Sequence, residues 1–198
     1  MFQGVDDRLF FALAASSATS QRALGFAIFV ARWAISFGPL ALAALWIFGS
    51  RIERRATVLA GASALLAVSV AGAISTLWMH ARPFVAFGMP NILDHAPDSS
   101  FPSDHGAVLF ALGFGLCILP SVAGRRAGLS ALALGVAVGW SRIFLAAHYP
   151  SDIVGAAVVA AASSCVMAVP AVRSVCDHLT LWGEHLFGWS IASNREPS

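Results

Sequence analysis

Asp98-Ser99-Ser100-Phe101-Pro102-Ser103-Asp104-His105-Gly106 is a polar, sharply bounded stretch, followed at once by an apolar run from Ala107 to Pro120. A Pro-Ser-Asp-His sequence at the mouth of an apolar helix gathers a hydroxyl, free backbone N–H groups and an imidazole at one helix N-terminus. Such an end can hold an anion and protonate a group attached to it. The surrounding chain decides what kind of helix this is. Of 198 residues 58% are hydrophobic and only 11% charged, where a soluble domain carries roughly twice that charged fraction. The apolar residues run along the whole chain in long blocks. The expected fold is therefore all-α, an integral membrane helical bundle forming a single domain over residues 1–198.

The expected spans run from Ala23 to Phe48, Ala56 to Met79, Ser103 to Pro120, Ala127 to Leu145 and Ile153 to Val169, about five crossings in all. Pro39 should kink the first. Val5 to Ser17 has helical apolar spacing but is too short to cross, and Arg173 to Trp189 mixes aromatic and charged residues. Both fit interfacial helices. Asp6 and Asp7 stand where the basic region of a cleaved signal would be. Asn194 to Ser198 should fray. The longest loop, His80 to Pro102, is interrupted by Pro83, Pro90 and Pro97.

The net charge of +2 and the absence of any long basic run argue against a nucleic-acid partner. All twelve basic residues are arginine. Those at 51–55, 121–126 and Arg173 mark one face as cytoplasmic by the positive-inside rule, which puts the 80–102 loop and the 147–152 turn outside. A bacterial inner or plasma membrane is the expected location. Cys117, Cys165 and Cys176 lack metal-type spacing and suit packing. No metal, cofactor or disulfide is expected, and the chain carries no signal for its oligomeric state.

Three polar clusters converge on the outer face: Arg82-Pro83, then Pro102 to His105, then Ser141-Arg142 through His148 to Asp152. Arginines near a membrane are costly without a counter-charge, and a guanidinium matches phosphate bidentately. Arg82 and Arg142 facing Ser103 would make a phosphate cradle. Asp152, four residues after His148, can orient that imidazole for attack on phosphorus, with His105 placed to protonate the leaving oxygen. His80, Asp94 and His95 are candidate substrate contacts. Arg32 suits interior pairing, snorkelling or substrate contact equally. His178 and His185 read as interfacial.

These clusters, in order over residues 82–152, resemble the three-part signature of the type 2 phosphatidic acid phosphatase superfamily of lipid phosphatases and related haloperoxidases. The run His95-Ala96-Pro97-Asp98-Ser99-Ser100-Phe101-Pro102-Ser103-Asp104-His105 is similar to the bacitracin-resistance type of undecaprenyl pyrophosphate phosphatase. The resemblance implies that His148 is a nucleophile forming a phosphohistidine, Asp152 its partner and His105 the general acid, with Arg82, Arg142 and Ser103 holding the phosphate; Asp104, between Ser103 and His105, is a further candidate at the phosphate. It implies a polyprenyl pyrophosphate substrate in the outer leaflet. Two positions depart from the pattern. Ser75 stands where a Lys is usual, leaving His80 or Arg32 to supply that charge. Asp104 stands where a Gly is usual, to anchor an arginine or cap the helix. Other lipid phosphates, or phosphoryl transfer to another lipid, fit the same residues. A transporter or scaffold has no reason to assemble them.

Overall fold

The computed structural model describes residues 2–187, and every element among them is helical: α1 Phe2–Leu13, α2 Gln21–Trp33, α3 Phe37–Phe48, α4 Arg51–Leu77, α5 Pro83–Ala86, α6 Asp104–Leu116, α7 Val122–Phe144, α8 Pro150–Ala168 and α9 Pro170–Leu186. Among the described residues four segments are long and apolar enough to cross a membrane, namely Gln21–Phe48, Arg51–Leu77, Val122–Phe144 and Pro150–Ala168. The expected kink at Pro39 is realised one turn earlier, as a 3₁₀ turn over Ala34–Ser36 between α2 and α3. The Pro39 ring collides with the carbonyl four residues back, that of Ile35, so the helix opens there.

The third expected span, Ser103 to Pro120, is shorter than expected. α6 has 13 residues, about 20 Å of helix, and nine of them are buried. It runs through the middle of the bundle, packed by α4, α7 and α8. Protein rather than lipid surrounds it, so its length need not match the bilayer. Small residues permit the close approach: a Cβ on Gly115 would lie 2.5 Å from the Ala60 Cα of α4.

The two ends of the bundle differ in chemistry. At one end Ser121 donates to Glu53 at 2.8 Å, which puts the basic turns 51–55 and 121–126 side by side. There α9 docks by pairing Arg55 with Asp177 and Arg51 with the buried Glu184. The Asp177 carboxyl is held below its ordinary range by the hydrogen bond from Arg55. His178 and His185 lie on exposed positions of α9. At the other end α1 lies against α7 and α8. Its Phe10 is buried among Ile143, Ala146 and Tyr149, and Asp6 accepts from the Ser151 N–H at 3.0 Å. The expected stretch from Val5 to Ser17 is helical only to Leu13. Trp189 and Asn194 to Ser198 lie outside the described residues.

Candidate active site

The end of α4, the long loop and the α7–α8 turn are tied together by the backbone. Ser100 N–H donates to His80 O at 2.8 Å, and Ala81 bridges Ser99, so residues 80–82 and 98–100 run side by side. Ser75, in the last turns of α4, donates to Phe101 O at 2.9 Å. Ser103 N–H donates to Asp152 O at 3.2 Å, which sets the start of α6 beside the start of α8. The α7–α8 turn passes through Ala146 at φ 58°. That backbone costs an alanine about 1–2 kcal/mol, and the Phe84 N–H donating to Ala146 O at 3.0 Å helps hold it.

His148 sits at the centre, 3% exposed. Its Nδ1 faces two acceptors, Ser100 O at 2.8 Å and Asp152 Oδ2 at 3.3 Å. Nδ1 therefore carries the proton, and the lone pair is on Nε2. Arg82 Nη1 points at that lone pair from 3.2 Å and also donates to Ala147 O, while its Nε pairs with Asp98 at 2.8 Å. Burial lowers the tendency of His148 to protonate, against the opposing pull of Asp152. A neutral imidazole oriented by a carboxylate is a nucleophile.

Asp152 is fully buried in the first turn of α8, where Tyr149 N–H donates to it at 2.8 Å. Its second oxygen faces His80 Nδ1 at 3.3 Å, and that ring also meets Ser100 Oγ at 3.0 Å. The hydrogen bond to Asp152 raises the His80 pKa. His80 thus stands behind the carboxylate and is not among the residues that line the neighbouring cavity.

A cavity of about 240 Å³ is lined by Ala31, Arg32, Leu93, His95, His105 and Arg142. Arg142 is 3% exposed, its Nε has no hydrogen-bond partner, and its Nη1 donates to His95 Nε2 at 2.8 Å. Among the described residues no carboxylate pairs with it. Burial pulls the His95 pKa down to about 4, with Arg142 the next cause. The His95 ring, on the cavity wall, lies 6.4 Å from the His148 ring. Ser103 is buried and caps α6 by accepting from Gly106 N–H at 3.4 Å. Asp104 is exposed and, among the described residues, makes no direct ion pair, its charge acting on Arg142 from a distance, while Ser103 makes the cap. Asp94 lies outside the cavity wall and pairs with Arg32 at 3.3 Å. Among the described residues no group of three His, Cys, Asp or Glu side chains is placed to hold a metal ion.

Two contacts had no signal in residue type: the Ser100 carbonyl on His148 and the second histidine on Asp152. Asp98 on Arg82 was readable only as one of a few available acids.

Comparison with known proteins gives the family. The profile described as PAP2 superfamily matches residues 56–173. The chain is 32% identical over 133 residues to the undecaprenyl-diphosphatase BcrC of Bacillus subtilis, a match covering 67% of each chain. It is 29% identical over 139 residues to the bacitracin transport permease protein BcrC of Bacillus licheniformis, covering 69% of this chain and 66% of that one. Among solved structures it resembles Aquifex aeolicus LpxE with a TM-score of 0.64 and 20% identity, over 80% of this chain and 92% of that chain. That last likeness is one of fold.

Proposed function

We propose, since the chain belongs to the PAP2 superfamily, that it hydrolyses undecaprenyl diphosphate to undecaprenyl phosphate and inorganic phosphate. The likeness to the Bacillus subtilis undecaprenyl-diphosphatase supports the substrate. The observation that carries the reaction is Arg142, a buried guanidinium with an unpartnered Nε and only a neutral histidine on its Nη1, on the wall of a cavity. A phosphate supplies the charge and acceptors this group lacks.

In the mechanism we infer, the terminal phosphoryl group takes the place of His95 on Arg142, and the N–H groups at the start of α6 receive further oxygens. Arg82 turns its Nη1 from the His148 lone pair to a phosphoryl oxygen. His148 Nε2 then attacks phosphorus, forming an N–P bond as the bond to the bridging oxygen breaks. Asp152 and the Ser100 carbonyl hold the Nδ1 proton while charge builds on the ring. His105 protonates the leaving oxygen where needed and then takes a proton from the water that hydrolyses the phosphohistidine. His80 positions Asp152 rather than touching substrate. All of these groups are the chain's own, and the reaction is proposed to proceed without metal.

The whole chain is proposed to act as one membrane-embedded unit in a bacterial inner membrane, with the site on the face away from the arginine-rich turns. The decisive experiment is phosphate release by purified protein from polyprenyl diphosphate, polyprenyl monophosphate, phosphatidic acid and phosphatidylglycerophosphate, with and without EDTA. Release from the diphosphate with no acceptor lipid present, unchanged by EDTA, is expected. No release without an acceptor would make it a transferase. A cysteine at Asn91 should react with a membrane-impermeant thiol reagent applied from outside.

A further inference from the structure

The cavity has two arginines on its walls, and one short loop holds both. Arg142 from α7 binds His95, and Arg32 from α2 pairs with the neighbouring residue, Asp94, at 3.3 Å. The loop tip is set by Asn91, whose side chain accepts from His95 N–H at 3.1 Å and donates to His95 O at 2.8 Å. Asp94 takes a left-handed backbone, φ 56°. The two arginines are held differently. Arg142 is buried, while the Arg32 side chain is 49% exposed and its partner 86% exposed. An exposed pair of this kind is weak and readily exchanged for a better anion. The cavity, with a volume of about 240 Å³, reaches both guanidinium groups.

We propose that Arg32 is a specificity-determining residue for a diphosphate: it binds the phosphoryl group that stays on the lipid, while Arg142 and Arg82 bind the one that is transferred. This rests on the proposed hydrolysis and assigns its second phosphate a partner. When the His148 Nε2–P bond forms and the bond to the bridging oxygen breaks, the electron pair remains on that oxygen, now part of the lipid monophosphate. Charge grows on the group beside Arg32, so this contact strengthens as the bond breaks. A lipid monophosphate offers Arg32 nothing; its leaving alkoxide needs a proton from His105. Asp94 occupies Arg32 by competition and yields it to the substrate.

The test compares wild type, Arg32→Gln, Arg32→Lys and Asp94→Asn on a polyprenyl diphosphate and the matching monophosphate, with methylenediphosphonate and orthovanadate as competitive inhibitors. Arg32→Gln should lower kcat/KM for the diphosphate by about 10–100-fold and weaken methylenediphosphonate similarly, leaving vanadate inhibition and any monophosphate hydrolysis within about twofold. Arg32→Lys should recover part of the loss. Asp94→Asn, which keeps a residue tolerant of the left-handed backbone, should tighten methylenediphosphonate about 2–5-fold by removing the competitor. Parallel losses on both substrates and both inhibitors, or an unchanged diphosphate response, would overturn the role of Arg32. If Arg32→Gln does not fold, an Asp94→Asn enzyme with unchanged or weaker diphosphonate binding does the same. A wild type that releases no phosphate from any of these lipids overturns the hydrolysis itself, an outcome distinct from an active wild type with parallel losses.

Discussion

Substituting Arg142 with methionine removes a guanidinium that is 3% exposed, whose Nε has no partner and whose Nη1 donates to His95 at 2.8 Å. Burying an ion costs several kcal/mol after relaxation. One charged hydrogen bond returns about 1.5–3 kcal/mol, so without an anion the position is a net burden on the fold. A flexible apolar side chain of comparable reach should therefore stabilise the protein by about 1–3 kcal/mol. For a chain of this size that is about 2–12 °C in apparent Tm. The bound anion reverses the ranking: at about a hundred times its Kd, vanadate should stabilise the wild type by about 2.7 kcal/mol, and the variant by almost nothing. The assay is thermal unfolding in detergent, with and without vanadate, alongside phosphate release. A variant that melts below wild type, or that keeps the vanadate shift, would refute the reasoning that this charge is held for a ligand.

His148→Ala should lose activity by at least about 10³-fold while still binding vanadate, and His105→Ala should accumulate an acid-labile phosphoenzyme if the histidine is the nucleophile. Asp152→Asn should fold but lower kcat by about 10²–10⁴-fold, because a neutral amide no longer stabilises the charge that builds on the His148 ring. The pH dependence has two opposite parts. His80 has a raised folded pKa, so its contribution to stability is complete below the ordinary 6.5 and is lost as pH rises through the raised value. His95 is lowered to about 4, so its contribution is complete above 6.5 and is lost as pH falls toward 4. Melting scans across pH should therefore show His80→Gln losing its deficit in alkali and His95→Gln resisting acid better than wild type. A Cβ on Gly155 would lie 2.4 Å from the Phe101 ring. Gly155→Ala should cost about 1–3 kcal/mol and disturb activity by shifting the loop that carries Ser100 and Ser103.

Most of the candidate site was legible because its chemistry resides in side chains at fixed intervals. Arg82, His105, Arg142, His148 and Asp152 are all readable as charged or imidazole groups beside apolar runs, and the helices between them force the return crossings. What was not legible lies in contacts made through space or by backbone. Nothing in residue type marks the Ser100 carbonyl as the second acceptor for His148. His80 read as a candidate substrate contact or as the replacement for a missing Lys charge; that the pairing of 80–82 with 98–100 sets it on the far oxygen of Asp152 was not readable from residue type. The position of the Pro39 break followed from the carbonyl of Ile35, a clash that hydropathy does not register. The shortness of α6 was hidden because an apolar run has the same composition whether lipid or protein surrounds it.

The enclosure of α6 bears on how the chain is put into a bilayer. A translocating segment is judged by its own length and apolarity, and about 20 residues are required to cross. α6 offers 13, short by roughly 10 Å. Its Gly115 faces α4, which is already made, but Gly113 and Gly106 face α7 and α8, which emerge from the ribosome only later. Its integration is therefore coupled to the arrival of α7 and α8. Nascent chains arrested after Pro120 should leave this segment extractable by alkali, and chains extended through Val169 should retain it.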